Sequence, residues 1–140
     1  KKGEDFTATI VGSPLSREDM DYEKKLRDQA KPLLEIGCLV FKPAVAQNLT
    51  PQIYQSHEIY VNLTPPGSFD KTIIEAMACE TIVVTSHQVP NLNLVDELSS
   101  ILNWSIDKKV NEGVIGREEI KATHDLKFLM KKILNLCLTR

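Results

Sequence analysis

The chain has 140 residues, 42% of them hydrophobic and 26% charged, with a formal net charge of −2 at pH 7. That composition fits one soluble globular domain with enough chain for a core, and the charge balance gives no sign of nucleic-acid or membrane-surface binding. No apolar run reaches the roughly 20 residues of a transmembrane segment, and the polar start Lys1-Lys2-Gly3-Glu4-Asp5 is unlike a signal peptide.

Taken in chain order, Phe6 to Val11 reads as a buried strand ending in the sharp turn Gly12-Ser13-Pro14. Ser16 to Glu35 reads as a helix with Met20, Leu26, Ala30, Leu33 and Leu34 on one face. Pro32 is expected to kink or shorten it, and Gly37 to stop it. Cys38 to Phe41 is a short second strand. Thr50 to Ser56 is a short helix with Thr50 as N-cap and Pro51 at the first helical position.

Ile59 to Leu63 is a third strand, stopped by Thr64-Pro65-Pro66-Gly67, and a helix follows from about Asp70 to Cys79. Thr81 to Thr85 is a β-branched run and the clearest strand. Further on, the pattern offers a helix around Leu94 to Leu98 and another from Asp125 to Cys137. Strands and helices alternate with short connections, which predicts an α/β fold: a parallel sheet with helices on both faces.

Cys38, Cys79 and Cys137 lie far apart with no CxxC spacing, as expected of reduced core thiols in a cytosolic protein rather than a disulfide or zinc framework. Without a secretory signal, the sequons at Asn48, Asn62 and Asn103 are chance matches.

The stretch that carries chemistry is Pro65-Pro66-Gly67-Ser68-Phe69-Asp70-Lys71-Thr72-Ile73-Ile74-Glu75-Ala76-Met77-Ala78. A strand ends, a Pro/Gly loop turns and a helix begins. Ligands of open parallel sheets bind beyond the carboxyl ends of the strands. The first helical N–H groups there lack internal partners and suit a diphosphate. Gly67 lets the backbone approach closely, Lys71 adds charge, and Glu75 is placed to accept hydrogen bonds from sugar hydroxyls. A structural alternative stands beside this: Thr72-x-x-Glu75 fits a capping box, in which Glu75 only caps the helix.

Ile74-Glu75-Ala76-Met77-Ala78-Cys79 and the strand after it resemble the Glu-Ala-Met-Ala segment of the retaining, family-4-type glycosyltransferases. Three more segments are similar in the same order: Phe6 to Gly12, Val40 to Val45, and Ile53 to Val61. The resemblance covers roughly residues 6 to 87 and implies a Rossmann-like domain, the C-terminal, donor-binding half of a GT-B fold, in a single domain over 1–140 lacking its first strand and helix.

It further implies a nucleotide diphosphate sugar as substrate, no cofactor and no metal. Glu75 matches the second Glu of the family's Glu-x7-Glu motif, which binds ribose; the first Glu falls at Gly67 and is absent. Phe69 matches the motif's Phe, Asp70 stands where Gly is usual, and Gly67-Ser68-Phe69-Asp70-Lys71 looks like a variant of some bacterial members. Backbone near Lys71 and Thr72 is expected to meet the diphosphate, that near Pro43, Ala44 and Val45 the base, and the loop after Gly12 to border the phosphates. Glu80 replaces the usual Gly after the helix.

The family's phosphate-neutralising Arg and Lys and its acceptor-binding N-terminal domain are not in this sequence. The expected partners are therefore the sugar donor and that missing domain, with no nucleic acid. The chain alone is expected to be inactive, and any membrane contact of the cytoplasmic enzyme falls to the missing domain. The rival reading is a non-catalytic binding or regulatory module on the same scaffold. A receiver-like domain is disfavoured, because Gly12-Ser13-Pro14 stands where an acidic cluster belongs. His57, His87 and His124 are too dispersed for a metal triad, His87 being the one candidate for a ligand cleft. Trp104 is expected to pack, and Asp19, Asp21, Glu118 and Glu119 to lie on solvated helix faces.

Overall fold

A computed structural model describes residues 6–64, 70–85 and 94–138. The chain divides into two units, Lys1–Thr50 and Pro51–Arg140. In the first, strand β1 (Ala8–Val11) leads through helix α1 (Arg17–Glu35) to strand β2 (Leu39–Lys42). The two strands pair in parallel, Ala8 opposite Leu39 and Val11 opposite Lys42.

Helix α1 starts on a capping box. Ser16 Oγ accepts from the Asp19 N–H at 3.1 Å, and Asp19 Oδ2 accepts from the Ser16 N–H at 2.9 Å. Asp19 therefore has a capping role beyond that of a solvated surface charge. Pro32 lies inside the helix, which continues to Glu35, so the proline does not shorten it. The stop is at Gly37, whose φ of 74° is left-handed. Its N–H bonds Leu34 O at 3.1 Å and the Cys38 N–H bonds Leu33 O at 3.0 Å, the two bonds of a Schellman motif. Arg27 is held by Glu23 at 2.6 Å and lies over the Phe41 ring at 4.2 Å, tying α1 to β2. Met20 and Leu33 of the predicted apolar face are exposed.

A 3-10 turn, Gln47–Leu49, runs directly into α2 (Thr50–Gln55). Thr50 is already helical (φ −59°, ψ −36°) and its hydroxyl donates back to Gln47 O at 2.7 Å. It is not the N-cap expected, because the turn before it has already begun the helix.

In the second unit β3 (Ile59–Asn62) and β4 (Ile82–Thr85) pair in parallel across α3 (Lys71–Ala78). Helices α4 (Leu94–Leu102), α5 (Ile106–His124) and α6 (Leu126–Leu138) follow. The fold is thus α/β, with short parallel strand pairs flanked by helices. Each predicted strand is present within a residue or two of its expected bounds. Helix α5 was not expected. Its apolar residues Ile106, Val110, Val114 and Ile120 share one face, but Arg117, Lys121 and His124 fall on that same face, so the contrast between apolar and polar faces that reveals a helix is missing.

Among the described residues the fully buried apolar side chains are Ala76, Val84 and Ile101, all in the second unit. Cys38 and Cys79 are half-buried, whereas Cys137 is exposed and not a core thiol. Helix α3 also ends in a Schellman motif: the Glu80 N–H bonds Met77 O at 3.0 Å and the Thr81 N–H bonds Ala76 O at 3.1 Å. Glu80 sits at φ 63°, doing without glycine what Gly37 does in α1. Its carboxylate pairs with Arg117 of α5 at 2.7 Å. Gly113 of α5 is buried against the same turn, and a Cβ there would overlap the Glu80 carbonyl oxygen.

Candidate functional site

The carboxyl end of β3 and the start of α3 are joined by a polar knot. Asp70 is the N-cap of α3, with extended backbone (φ −95°, ψ 107°). Its Oδ1 accepts from the Thr72 N–H at 2.9 Å and from the Thr72 hydroxyl at 2.6 Å. Its Oδ2 accepts from Asn62 Nδ2 at 2.7 Å and from the Thr64 hydroxyl at 3.3 Å. A carboxylate only accepts, so the Thr72 hydroxyl must donate to Asp70, and it accepts from Tyr60 Oη at 2.6 Å. Asn62, buried, has its amide fixed from both ends, because Oδ1 takes the Thr64 N–H at 2.9 Å. The Thr72 and Asn62 side-chain bonds, then the Thr72 N–H, hold the Asp70 carboxyl down at about 2 from the usual 3.8.

This cap rules out the capping-box reading of Glu75. With Asp70 as N-cap and Lys71 the first helical residue, Thr72 lies inside the helix and Thr72-x-x-Glu75 is not a capping box. Glu75 stands half-buried on the second turn. Among the described residues its hydrogen-bond partner is Tyr54, whose hydroxyl lies 3.4 Å from Oε2, a long bond. Tyr54 is set by an edge-to-face contact with Tyr60, ring centroids 5.4 Å apart. Its carbonyl also accepts from the buried Thr81 hydroxyl at 3.1 Å. Burial first, then the neighbouring Tyr60 and Glu75, push the Tyr54 phenol well above its ordinary range.

The N–H of Thr72, expected to meet a diphosphate, is taken by the chain's own carboxylate. Lys71 beside it is exposed. Gly67, Ser68, Phe69 and His87 lie outside the described residues. In the first unit, the Gly12 N–H bonds Lys42 O at 3.1 Å, and the Ser13 hydroxyl accepts from the Ala44 N–H at 2.9 Å. The turn after β1 and the Pro43-Ala44-Val45 loop after β2 are thereby tied at the carboxyl ends of a parallel pair. A groove lined by Ala78, Arg117, Ile120, Lys121, His124 and Asp125 contains none of the predicted site residues. His57 is half-buried and its Nδ1 lies 2.8 Å from Ile53 O, a packing role. Trp104 is half-buried beneath Lys108, whose Nζ is 3.7 Å from the ring centroid.

The profile of a protein family described as "Glycosyl transferases group 1" matches residues 1–102. The chain belongs to this family. Comparison with curated proteins and with solved structures gives no match. The group 1 glycosyltransferase match runs from β1 through α4, so the polar knot, Glu75 and the loops after β1 and β2 fall inside it, whereas α5 and α6 follow it.

The residues that sequence reasoning passed over in this glycosyltransferase domain are Tyr54, Tyr60, Asn62, Thr64 and Ser13. Asn62 carried a signal: an asparagine in a strand of apolar neighbours, just before a turn, must find partners when buried. The tyrosines carried none, since a tyrosine in an α/β domain is ordinary packing material.

Proposed function

We propose that the chain is the donor-binding half of a retaining, family-4-type GT-B glycosyltransferase. It holds a nucleotide diphosphate sugar while a hexosyl group passes to an acceptor bound by another domain of the same cytoplasmic, bacterial-type protein. The observation that carries this reading is Glu75. Its carboxylate is released from capping duty by Asp70 and held by Tyr54, in a segment that resembles the family's ribose-binding motif. Two carboxylate oxygens match the two hydroxyls of a ribose, and bonds to a charged acceptor are the stronger kind.

In the same proposal Gly67, Ser68, Phe69 and Asp70 border the donor sugar, and the Lys71 ammonium meets the diphosphate. Backbone of Pro43, Ala44 and Val45 meets the base, and the turn after Gly12 borders a phosphate. Leaving-group stabilisation is then electrostatic, supplied by fixed charges and dipoles rather than by a nucleophile. The chain binds donor without completing transfer, and it uses no cofactor.

A specific observation favours a second reading, a non-catalytic module on a glycosyltransferase scaffold. The start of α3, the natural anion site, already holds the Asp70 carboxylate. Calorimetric titration of nucleoside diphosphates separates the two. The donor-binding reading expects Glu75→Gln to lose about 1.5–3 kcal/mol of affinity, more than tenfold, with an unchanged melting temperature. Equal affinity in the variant sinks the ribose role. Absence of binding to every nucleoside diphosphate tried, by a longer protein that also carries the phosphate-neutralising Arg and Lys, favours the second reading instead.

A further inference from the structure

Helix α6 (Leu126–Leu138) is exposed at every described side chain, apolar ones included: Leu126 is 69% exposed, Leu129 52% and Ile133 43%. At 100° per residue, Leu126, Leu129, Met130, Ile133 and Cys137 share one face. Lys127 and Lys131 lie to one side of it and Lys132 to the other, the last with Nζ 4.6 Å from the Phe128 ring centroid. The helix carries three lysines and no acidic residue, in a chain whose net charge is −2. Its charge is thus opposite in sign to that of the whole molecule and lies off the apolar stripe, with Lys127 and Lys132 nearest its borders and Lys131 towards the far face.

We propose that α6 docks the protein onto an anionic lipid bilayer, lying in the interface with its apolar face down. Lysine stems reach along apolar surface while their ammonium groups stay at the headgroups, which places cations where lipid phosphates stand. Thirteen residues rise about 20 Å, too short for the roughly 30 Å hydrocarbon core, so the helix rests on the membrane and does not cross it. A protein groove would match the stripe but not explain a polar border with no anion in it. The overall charge balance, which gave no sign of membrane binding, averages this segment away.

The test is co-sedimentation of the 140-residue chain with vesicles of phosphatidylcholine alone and with phosphatidylglycerol added. Binding is expected to the anionic vesicles only, and to fall as salt rises. Lys131→Gln and Lys132→Gln should each lower partitioning about fivefold. Ile133→Glu should abolish it while far-UV circular dichroism stays native, since the site is already half open to water. Equal binding to both vesicles, binding to neither, or binding that survives Ile133→Glu would overturn the proposal. A dimer in sedimentation velocity that Ile133→Glu dissolves, without vesicle binding, would assign the face to a second copy instead.

Discussion

Asp70 illustrates how far a single residue can be read. Sequence reasoning started a helix at about Asp70 and offered Thr72 as its cap, although Asp70, two positions earlier, is also a capping residue type. Nothing in one dimension says which of them takes the extended backbone. The structure chooses Asp70 because the Thr72 hydroxyl is engaged between Tyr60 and that carboxylate. Asp70→Ala should therefore cost about 1 kcal/mol in urea unfolding at neutral pH, a typical N-cap loss. The folded carboxyl titrates near 2 rather than 3.8, so the unfolded chain takes up the proton first as pH falls. The stabilisation is complete above about pH 4 and is lost on the way down to about pH 2. Asp70→Asn keeps an acceptor for the cap. Unfolding measured from pH 5 to pH 2 should show that it removes this part of the acid sensitivity.

Among the elements, the strands were legible because β-branched runs bounded by turn residues leave few alternatives. Helix α1 was legible through its stop at Gly37. The identical stop at Glu80 was not, since a glutamate announces no left-handed turn. A non-glycine residue in that conformation costs about 1–2 kcal/mol, while an exposed ion pair like that with Arg117 returns about 0–1 kcal/mol. Glu80→Gly should accordingly raise stability by about 1 kcal/mol in thermal or urea melts. Helix α5 escaped notice because its packing depends on Gly113, whose role is the lack of a side chain, and because Arg117, Lys121 and His124 interrupt its apolar face. Gly113→Ala must push α5 away from the Glu80 carbonyl. A loss of about 1–3 kcal/mol is expected, as for overpacking elsewhere, and it should shrink when measured in a background that shifts the 80 turn.

For the molecule as a whole, glycosyltransferase membership was readable from four short segments in order, and the match over residues 1–102 agrees at the level of the group 1 glycosyltransferases. The size of the core was not readable. Length and composition promised a well-buried interior, yet Ile10, Val40 and Val61 on the strands remain over a third exposed, and full burial among described apolar residues is limited to Ala76, Val84 and Ile101. Parallel strands are ordinarily covered on both faces. Patterning predicts which face of an element is apolar but not whether another element arrives to cover it. Little surface is therefore uncovered on unfolding, and the urea m-value should lie near the bottom of the usual range, about 1 kcal/mol/M. A value near 2–3 kcal/mol/M would mean that the chain in solution buries far more than these contacts do.

The close approach of Gly113 to Glu80 also bears on where this protein can be cut. The stretch recognisable as glycosyltransferase stops at Leu102, and a recombinant boundary drawn there would look natural. It would delete the helix that closes over the turn between α3 and β4, together with the cation that Glu80 faces. The same cut would free Glu58, just before β3, from its 2.8 Å bond to Lys109. A product ending at Leu102 is expected to express poorly or be degraded, whereas one extended through His124 keeps both anchors and dispenses only with α6.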